Sequence, residues 1–383
     1  MRTGFVPPIY PFDQLTPIEE VARSLPGGMV DLSVGTPCDP PPPAVIEALA
    51  SSGAERGYPA SLGSPRLLQA SRDWIERRFG VDIDRKMVAN CIGTKEFVAG
   101  VPQWLRLRSP ERDTVLYPAV AYPTYEMGAL LASARAVPVG ARPDGSMALD
   151  EITDEDADRA LCLWLNSPSN PTGAIDDLAA AAEWGRAHDV PVFSDECYAE
   201  FTWEGKPRTI LESGTDGLIA VHSISKRSNC AGLRVGFYAG DAELVHYLVE
   251  VRRHAGFMIP GPIQLAGAVA LEDDEHVEVQ RETYRRRLTR FVELLTKLGV
   301  EVSMPAGSFY LWIKVPDGPW MQDVQPGEGP EWAFTRYLAR TGGVLVSPGD
   351  FYGPGGVGYV RIAMVQPDDR LELAGERLAQ NAF

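Results

Sequence analysis

Short apolar runs alternate with longer stretches of helical spacing through the middle of the chain. Seven runs read as strands: KMVANCI (Lys86–Ile92), DTVLYP (Asp113–Pro118), ARAVPV (Ala134–Val139), ALCLWLN (Ala160–Asn166), VPVFSDE (Val190–Glu196), LIAVHSI (Leu218–Ile224) and LRVGFYAG (Leu233–Gly240). They are close to continuously apolar, which predicts strands buried on both faces in a mostly parallel sheet. Helix-like segments lie between several of them. DDLAAAAEWGRAHD (Asp176–Asp189) is alanine-rich, with acids at its start and Arg186 and His188 near its end, the polarity that a helix dipole favours. The pattern is that of an α/β fold with helices on both faces of the sheet.

From about Glu275 the pattern changes. HVEVQRETYRRRLTRFVELLTKLG reads as one long amphipathic helix, followed by a strand-like SFYLWIKV, a helix around Trp332 to Arg340 and a last strand GYVRIAMV. These predict a smaller α+β domain. The expected division is a large domain over 40–275, with a seven-stranded sheet, and a small domain built from 1–39 and 276–383. The first forty residues, ending in CDPPPP (Cys38–Pro43), are rich in Pro and Gly and read as an extended arm, not a core helix. Pro316 to Pro330 reads as a surface loop.

Composition narrows the class. The 383 residues are 45% apolar and 23% charged, as in soluble globular enzymes, with material for two or three domains at roughly 100–200 residues each. A net charge of -16 repels nucleic-acid backbones and anionic membranes, yet leaves room for a small anionic ligand in a local cationic pocket. The five cysteines form no CxxC pair, so a reducing cytoplasm is expected and no metal. No signal peptide and no membrane-spanning helix is expected, because no apolar run reaches about 18 residues.

Five motifs carry candidate chemistry. In HSISKRSNCAGLRVG a strand delivers Ser223, Ser225 and Lys226 to its end, with Arg234 eight residues on. A desolvated lysine is a nucleophile toward an aldehyde, and hydroxyls with a guanidinium suit a phosphate dianion. In VPVFSDECY, Asp195 ends a buried strand and calls for a cationic partner; a protonated pyridine ring is one, and Tyr198 follows three residues later. Asn170 in NSPSNPTGAI sits at a strand-to-helix turn, where its amide can donate to an oxygen anion. Gly93 and Thr94 in CIGTKEF open a helix whose first N–H groups can bind phosphate. Tyr122 in AVAYPTYE can stack on an aromatic ring. Each motif alone also fits a structural role: a surface Lys and Arg, a helix-capping Asp, an ordinary turn, an unliganded helix start, a core tyrosine. Together they fall at the carboxyl ends of strands, where open α/β folds bind ligands, and they converge on a cofactor that is both an aldehyde and a phosphate ester.

With these motifs the chain resembles the class I/II aminotransferases of fold type I over nearly its full length. SISK with GLRVG, the NPTG turn and SDECY carry the resemblance most specifically. It implies pyridoxal 5'-phosphate as cofactor, with Lys226 as the Schiff-base lysine, Asp195 on the ring nitrogen, Tyr198 and Asn170 on the phenolic oxygen and Tyr122 stacked on the ring. Ser223, Ser225, Arg234 and the amides of Gly93, Thr94 and Lys95 resemble the phosphate cup. Tyr58, in RGYPASLG, resembles the tyrosine that reaches a neighbouring subunit's phosphate, which implies a homodimer. Arg361, in GYVRIAMV, resembles the clamp on the substrate α-carboxylate, beside the backbone of Gly35 and the amide of Asn170. LSVGTPCDP, GTKE, AYPTYE, NSPSNPTG, DECY, VQRETY and PGDFYGP together resemble the actinobacterial type of succinyldiaminopimelate aminotransferase. That family moves an amino group from glutamate, which becomes 2-oxoglutarate, to N-succinyl-2-amino-6-oxopimelate in lysine and diaminopimelate synthesis.

Two positions depart from that family: Leu67–Leu68, where Leu-Arg is usual, and Arg227, where a smaller uncharged residue is frequent. Arg227 is expected to add a cation near the site. A succinylated substrate carries a distal carboxylate, for which Lys95, Arg227 and Arg253 are the candidates. Other readings of the same residues are an aspartate, alanine or N-acylated diamino-acid aminotransferase, or a lyase on the same scaffold. A cofactor-binding transcription regulator would need a basic DNA-binding region, and the arm is not basic.

Overall fold

The computed structural model describes residues 4–51, 53–54 and 56–381. Residues 1–3, part of the N-terminal segment read above, lie outside the described residues. The strands, in chain order, are β1 (Val30–Asp31), β2 (Val88–Cys91), β3 (Thr114–Pro118), β4 (Arg135–Val139), β5 (Ala160–Asn166) and β6 (Val192–Asp195). They continue with β7 (Leu218–Ser223), β8 (Gly236–Gly240), β9 (Tyr310–Lys314), β10 (Val344–Leu345), β11 (Ser347–Pro348) and β12 (Tyr359–Ala363).

All seven predicted apolar runs enter one seven-stranded sheet, in the order β2-β8-β7-β6-β5-β3-β4. β8 runs antiparallel to both its neighbours, and the pairs from β7 through β4 are parallel. Side chains alternate between two cores, as the pleat requires. Leu163, Leu165 and Ala220 face Trp74, Ile75 and Ala182 on one side. Trp164, Phe193 and Val221 face Phe97, Tyr125 and Leu248 on the other. The covering helices carry their own stop and start signals. Ser64 caps helix Pro65–Phe79 by accepting from the Leu67 N–H, and Gly80 ends it in the left-handed region. The predicted alanine-rich helix forms over Leu178–Ala187 and is capped by Asp177.

The chain divides into two compact units. The large unit is Thr36–Arg286 with Pro305–Tyr310; the small unit holds residues up to Gly35, Arg287–Met304 and the chain from Leu311 onward. The expected boundaries, 40 and 275, both fall inside the large unit, which reaches from Thr36 to Arg286, so its second limit lies within the long helix Glu275–Lys297. The segment Pro305–Tyr310, expected in the small domain, packs with the large unit.

In the small unit β1 pairs parallel to β10, and β11-β12-β9 form a second sheet. Two expectations are corrected here. The N-terminal segment is not wholly extended: Thr16–Arg23 is a helix with Ile18 and Ala22 buried. Pro17 occupies its first turn, where a missing N–H costs nothing, so the proline-rich composition hid it. The 316–330 stretch is not only a surface loop. Trp320 is fully buried, with ring centroids 4.8 Å from Phe334 and 5.0 Å from Tyr337. Burying one such ring is worth roughly 3–5 kcal/mol against alanine, enough to order a Pro/Gly-rich segment around it.

Candidate active site

The row of strand ends β5, β6 and β7 positions the first group of side chains, all in the large unit. Asn166 and Asp195 are register partners at the ends of β5 and β6. The Asn166 amide donates to the Asp195 carbonyl (2.9 Å), and its carbonyl oxygen accepts the Asn170 N–H (2.8 Å). The NPTG turn is thereby stapled to the end of β6, with Asn170 buried.

Asp195 is buried. Its carboxylate accepts from the Tyr125 hydroxyl (3.0 Å) and from the Cys197 N–H (3.2 Å). Burial pushes its carboxyl above the usual range, while the bonds from Cys197 and Tyr125 and the charge of Lys226 pull it down. A buried carboxylate at the end of a central strand suits a cationic ring nitrogen.

The Lys226 turn follows β7. Ser223 caps the short helix Ile224–Arg227 by accepting the Ser225 N–H (3.0 Å), and its Oγ lies 2.8 Å from Ser225 Oγ. Lys226 Nζ stands 5.9 Å from the Phe309 ring centroid. The Tyr198 hydroxyl lies 2.9 Å from that of Tyr310.

A third group forms at the start of helix Thr94–Arg108. Gly93 has φ 70°, and a Cβ built on it would come within 2.0 Å of Arg234 Nη2. The guanidinium of Arg234 therefore lies against the backbone that opens the helix, where the first N–H groups lack intrahelical partners. Arg234 itself adopts a left-handed conformation (φ 56°) and bonds the Ala231 carbonyl (2.9 Å). The acid in this first turn, Glu96, is neutralised by a bidentate pair with Arg252 at 2.9 and 2.6 Å. Backbone donors, a guanidinium and the Ser223–Ser225 hydroxyls form a cradle that suits a phosphate dianion and that any side chain at position 93 would fill. Tyr122 is half-buried nearby, with Lys95 Nζ 5.6 Å above its ring.

The small unit holds Arg361 and Gly35. Arg361 is buried on β12, stacked 5.0 Å over the Tyr352 ring and bonded to the Ser33 carbonyl; Gly35 is buried. Tyr58 is fully exposed on the large unit.

Arg227 does not stand where it was expected. It is 2% exposed and engages Glu200 and Asp274 instead of opening toward a ligand. Arg253 is exposed and pairs with Glu250. Tyr125, Phe309 and Tyr310 went unpicked in the sequence. Tyr125 had a signal, three residues beyond Tyr122 on a helix start. Phe309, 83 positions beyond Lys226, and Tyr310, 112 beyond Tyr198, had none.

Glu196 was also missed. Consecutive strand positions face opposite ways, so Glu196 points away from Asp195 into the Trp74 core. Glu196 Oε2 lies 3.2 Å from His222 Nε2, both buried. Burial pushes Glu196 up to about 8, against the bond from the Ile210 N–H, and burial pulls His222 down to about 3. At neutral pH the contact joins a neutral acid to a neutral imidazole. A carboxyl raised on folding stabilises fully below its unfolded value, near 4.5, and loses that contribution as pH rises to about 8. A histidine depressed on folding acts oppositely, but only below its unfolded value near 6.5. Between about pH 6.5 and 8 only Glu196 contributes a slope. Glu196→Gln, which donates without titrating, is expected to flatten the fall in thermal midpoint over that window relative to wild type. Parallel curves would contradict the assignment.

Comparison with known proteins agrees with this geometry. The family model "Aminotransferase class I and II" matches residues 27–378. The chain is 40% identical to a probable aminotransferase of Mycobacterium tuberculosis, over 97% of its own length and 85% of that protein. It is 39% identical to the 4-dedimethylamino-4-oxo-anhydrotetracycline transaminase OxyQ of Streptomyces rimosus, covering 97% of this chain and 99% of OxyQ. Its fold is similar to that of a probable N-succinyldiaminopimelate aminotransferase of Thermus thermophilus, with TM-score 0.85, 31% identity and coverage of 97% and 99%. The chain belongs to the class I and II aminotransferases, fold-type-I pyridoxal-phosphate enzymes that act on amino and keto acids.

Proposed function

We propose that this enzyme moves an amino group from glutamate to N-succinyl-2-amino-6-oxopimelate, with Lys226 as the residue that carries the cofactor and moves the substrate proton. The observation that carries the site assignment is Asp195, a buried carboxylate held by Tyr125 and Cys197 on the same row of strand ends as the Lys226 turn and within reach of the Lys226 charge. Pyridoxal phosphate, when bound, supplies an aldehyde for amines and a protonated ring that draws electrons from the substrate Cα.

Around it each side chain takes one task. Gly93, Thr94 and Lys95 offer backbone N–H groups to the phosphate, with Ser223, Ser225 and Arg234 completing its seat. Asp195 holds the proton on the ring nitrogen, and Tyr125 orients Asp195. Tyr198 and Asn170 would donate to the phenolic oxygen and Tyr122 would pack on the ring; the motif resemblance gives Arg361, Gly35 and Asn170 the substrate α-carboxylate. Lys226 would hold the cofactor, and its Nζ, as a neutral amine, would serve as the general base for the substrate Cα proton, a role that general acid–base catalysis gives to a nearby group of matched basicity. The full exposure of Tyr58 supports a role across the interface of a cytoplasmic homodimer, at the neighbour's phosphate.

The substrate reading rests on the motif resemblance. Of the three candidates for a distal carboxylate, Arg227 is taken up by buried partners, Arg253 pairs with Glu250 at the surface, and Lys95 Nζ lies 5.6 Å over the Tyr122 ring. A second reading takes the acceptor from OxyQ, 39% identical over nearly its whole length.

Single-turnover spectra of the purified holoenzyme separate these readings. Rapid amination of the cofactor by glutamate and by N-succinyl-L,L-diaminopimelate, with alanine and aspartate much slower, is the expected result. Conversion by alanine or aspartate alone would remove the succinylated substrate, and conversion by no amino acid would remove transamination. Gly93→Ala tests the phosphate seat separately: the left-handed backbone and the approach of Arg234 leave no room for a methyl group. It is expected to weaken cofactor binding about tenfold or more, roughly 1.4 kcal/mol, measured by equilibrium dialysis.

A further inference from the structure

Arg227 follows Lys226 directly and spends its whole guanidinium inside the large unit. Its Nε donates to Glu200 Oε1 (3.2 Å), and Nη2 pairs with Asp274 Oδ1 (3.0 Å). Nη1 bonds the Ala270 carbonyl and lies 3.2 Å from Ser228 Oγ. Glu200 stands two residues after Tyr198, in the turn Ala199–Phe201. Its Oε1 also accepts from Trp74 Nε1 (2.9 Å), and its Oε2 pairs with Arg78 (2.7 Å). One buried carboxylate thus ties the loop after Lys226, the loop after Tyr198 and helix Pro65–Phe79 together.

The next two residues are held as well. Ser228 Oγ lies 2.9 Å from His276 Nε2, and the Asn229 amide bonds Gln280 (3.0 Å) and Tyr284 (3.4 Å). His276, Gln280 and Tyr284 recur every fourth residue, so they form one stripe on the helix Glu275–Lys297. The charges balance locally: Arg77, Arg78 and Arg227 against Glu200, Asp274 and Glu278.

We infer that the Arg227–Glu200 pair is a positioning device for the active site: it locks the backbone of Lys226 to the backbone of Tyr198. The inference rests on the roles proposed above for those two residues. A lysine side chain has four rotatable bonds and reaches its target well only if its backbone is fixed, and a displacement near 1 Å is enough to spoil alignment. Asp195, whose carboxyl feels the Lys226 charge, and Tyr310, bonded to Tyr198, are not members of the pair. Arg227→Met and Glu200→Gln each remove one partner while roughly keeping its length.

The test is the pH titration of the visible absorbance of the lysine-bound cofactor in the holoenzyme, with the cofactor dissociation constant and the thermal midpoint of each variant. Both single variants are expected to shift the absorbance midpoint by about half a pH unit or more, a threefold change in proton affinity, and to weaken cofactor binding about tenfold. The double variant is expected to be no worse than the worse single, since the two residues act as one contact. Midpoints and dissociation constants within twofold of wild type, whatever the thermal midpoint does, would overturn the inference, as would additive losses in the double variant. If Arg227→Met yields no soluble protein, the isosteric Glu200→Gln decides alone by the same criteria. A wild-type holoenzyme whose absorbance does not report a lysine-bound cofactor would instead overturn the reading of Lys226, which keeps the two failures apart.

Discussion

Two neighbouring carboxylates at one buried strand end dominate the electrostatics of this protein. Leaving an ionised carboxylate without compensation in the interior costs several kcal/mol, more than the roughly 1.5–3 kcal/mol gained by burying a typical apolar side chain. Asp195 and Glu196 meet that constraint on opposite faces of β6. Asp195 receives the Tyr125 hydroxyl and the Cys197 N–H, and it remains suited to a cationic ring nitrogen. Glu196 keeps its proton against His222, in a pocket closed by Trp74, Phe79 and Phe237.

The same face that suppresses charge at Glu196 handles it differently a few ångströms along the chain. Glu200 is also buried, and Trp74, Arg78 and Arg227 converge on its two oxygens. Breaking such a pair on one side typically costs about 3–5 kcal/mol, because the remaining charge is stranded. Buried ion pairs add little net stability over apolar packing, so specificity of backbone placement is the better account of why one sits beside Lys226.

Much of this was legible in the chain. The seven apolar runs marked all seven strands of the large sheet, including the partly exposed edge strand β4 and the antiparallel β2 and β8, because each run is short, mostly apolar and bounded by polar or turn residues. The motifs around Lys226, Asp195, Asn170 and Gly93 were legible for a related reason: charged or flexible residues at the ends of apolar runs are conspicuous. Pairings across long sequence separations were not. Trp74 to Glu200 spans 126 positions, and nothing local to either residue marks it. Arg227 was read as a ligand-facing cation because it adjoins Lys226, yet a helical turn sends adjacent side chains in different directions. The helix Thr16–Arg23 and the Trp320 anchor were masked by Pro and Gly, whose local averages outweighed single well-placed apolar side chains.

The central claim is that Lys226 carries the cofactor. Borohydride reduction of the holoenzyme, followed by proteolysis and mass spectrometry, tests it most directly. The account predicts a reduced phosphopyridoxyl adduct on the peptide containing Lys226 and on no other lysine. An adduct on Lys95 or another lysine, or cofactor that leaves no adduct at all, would contradict it.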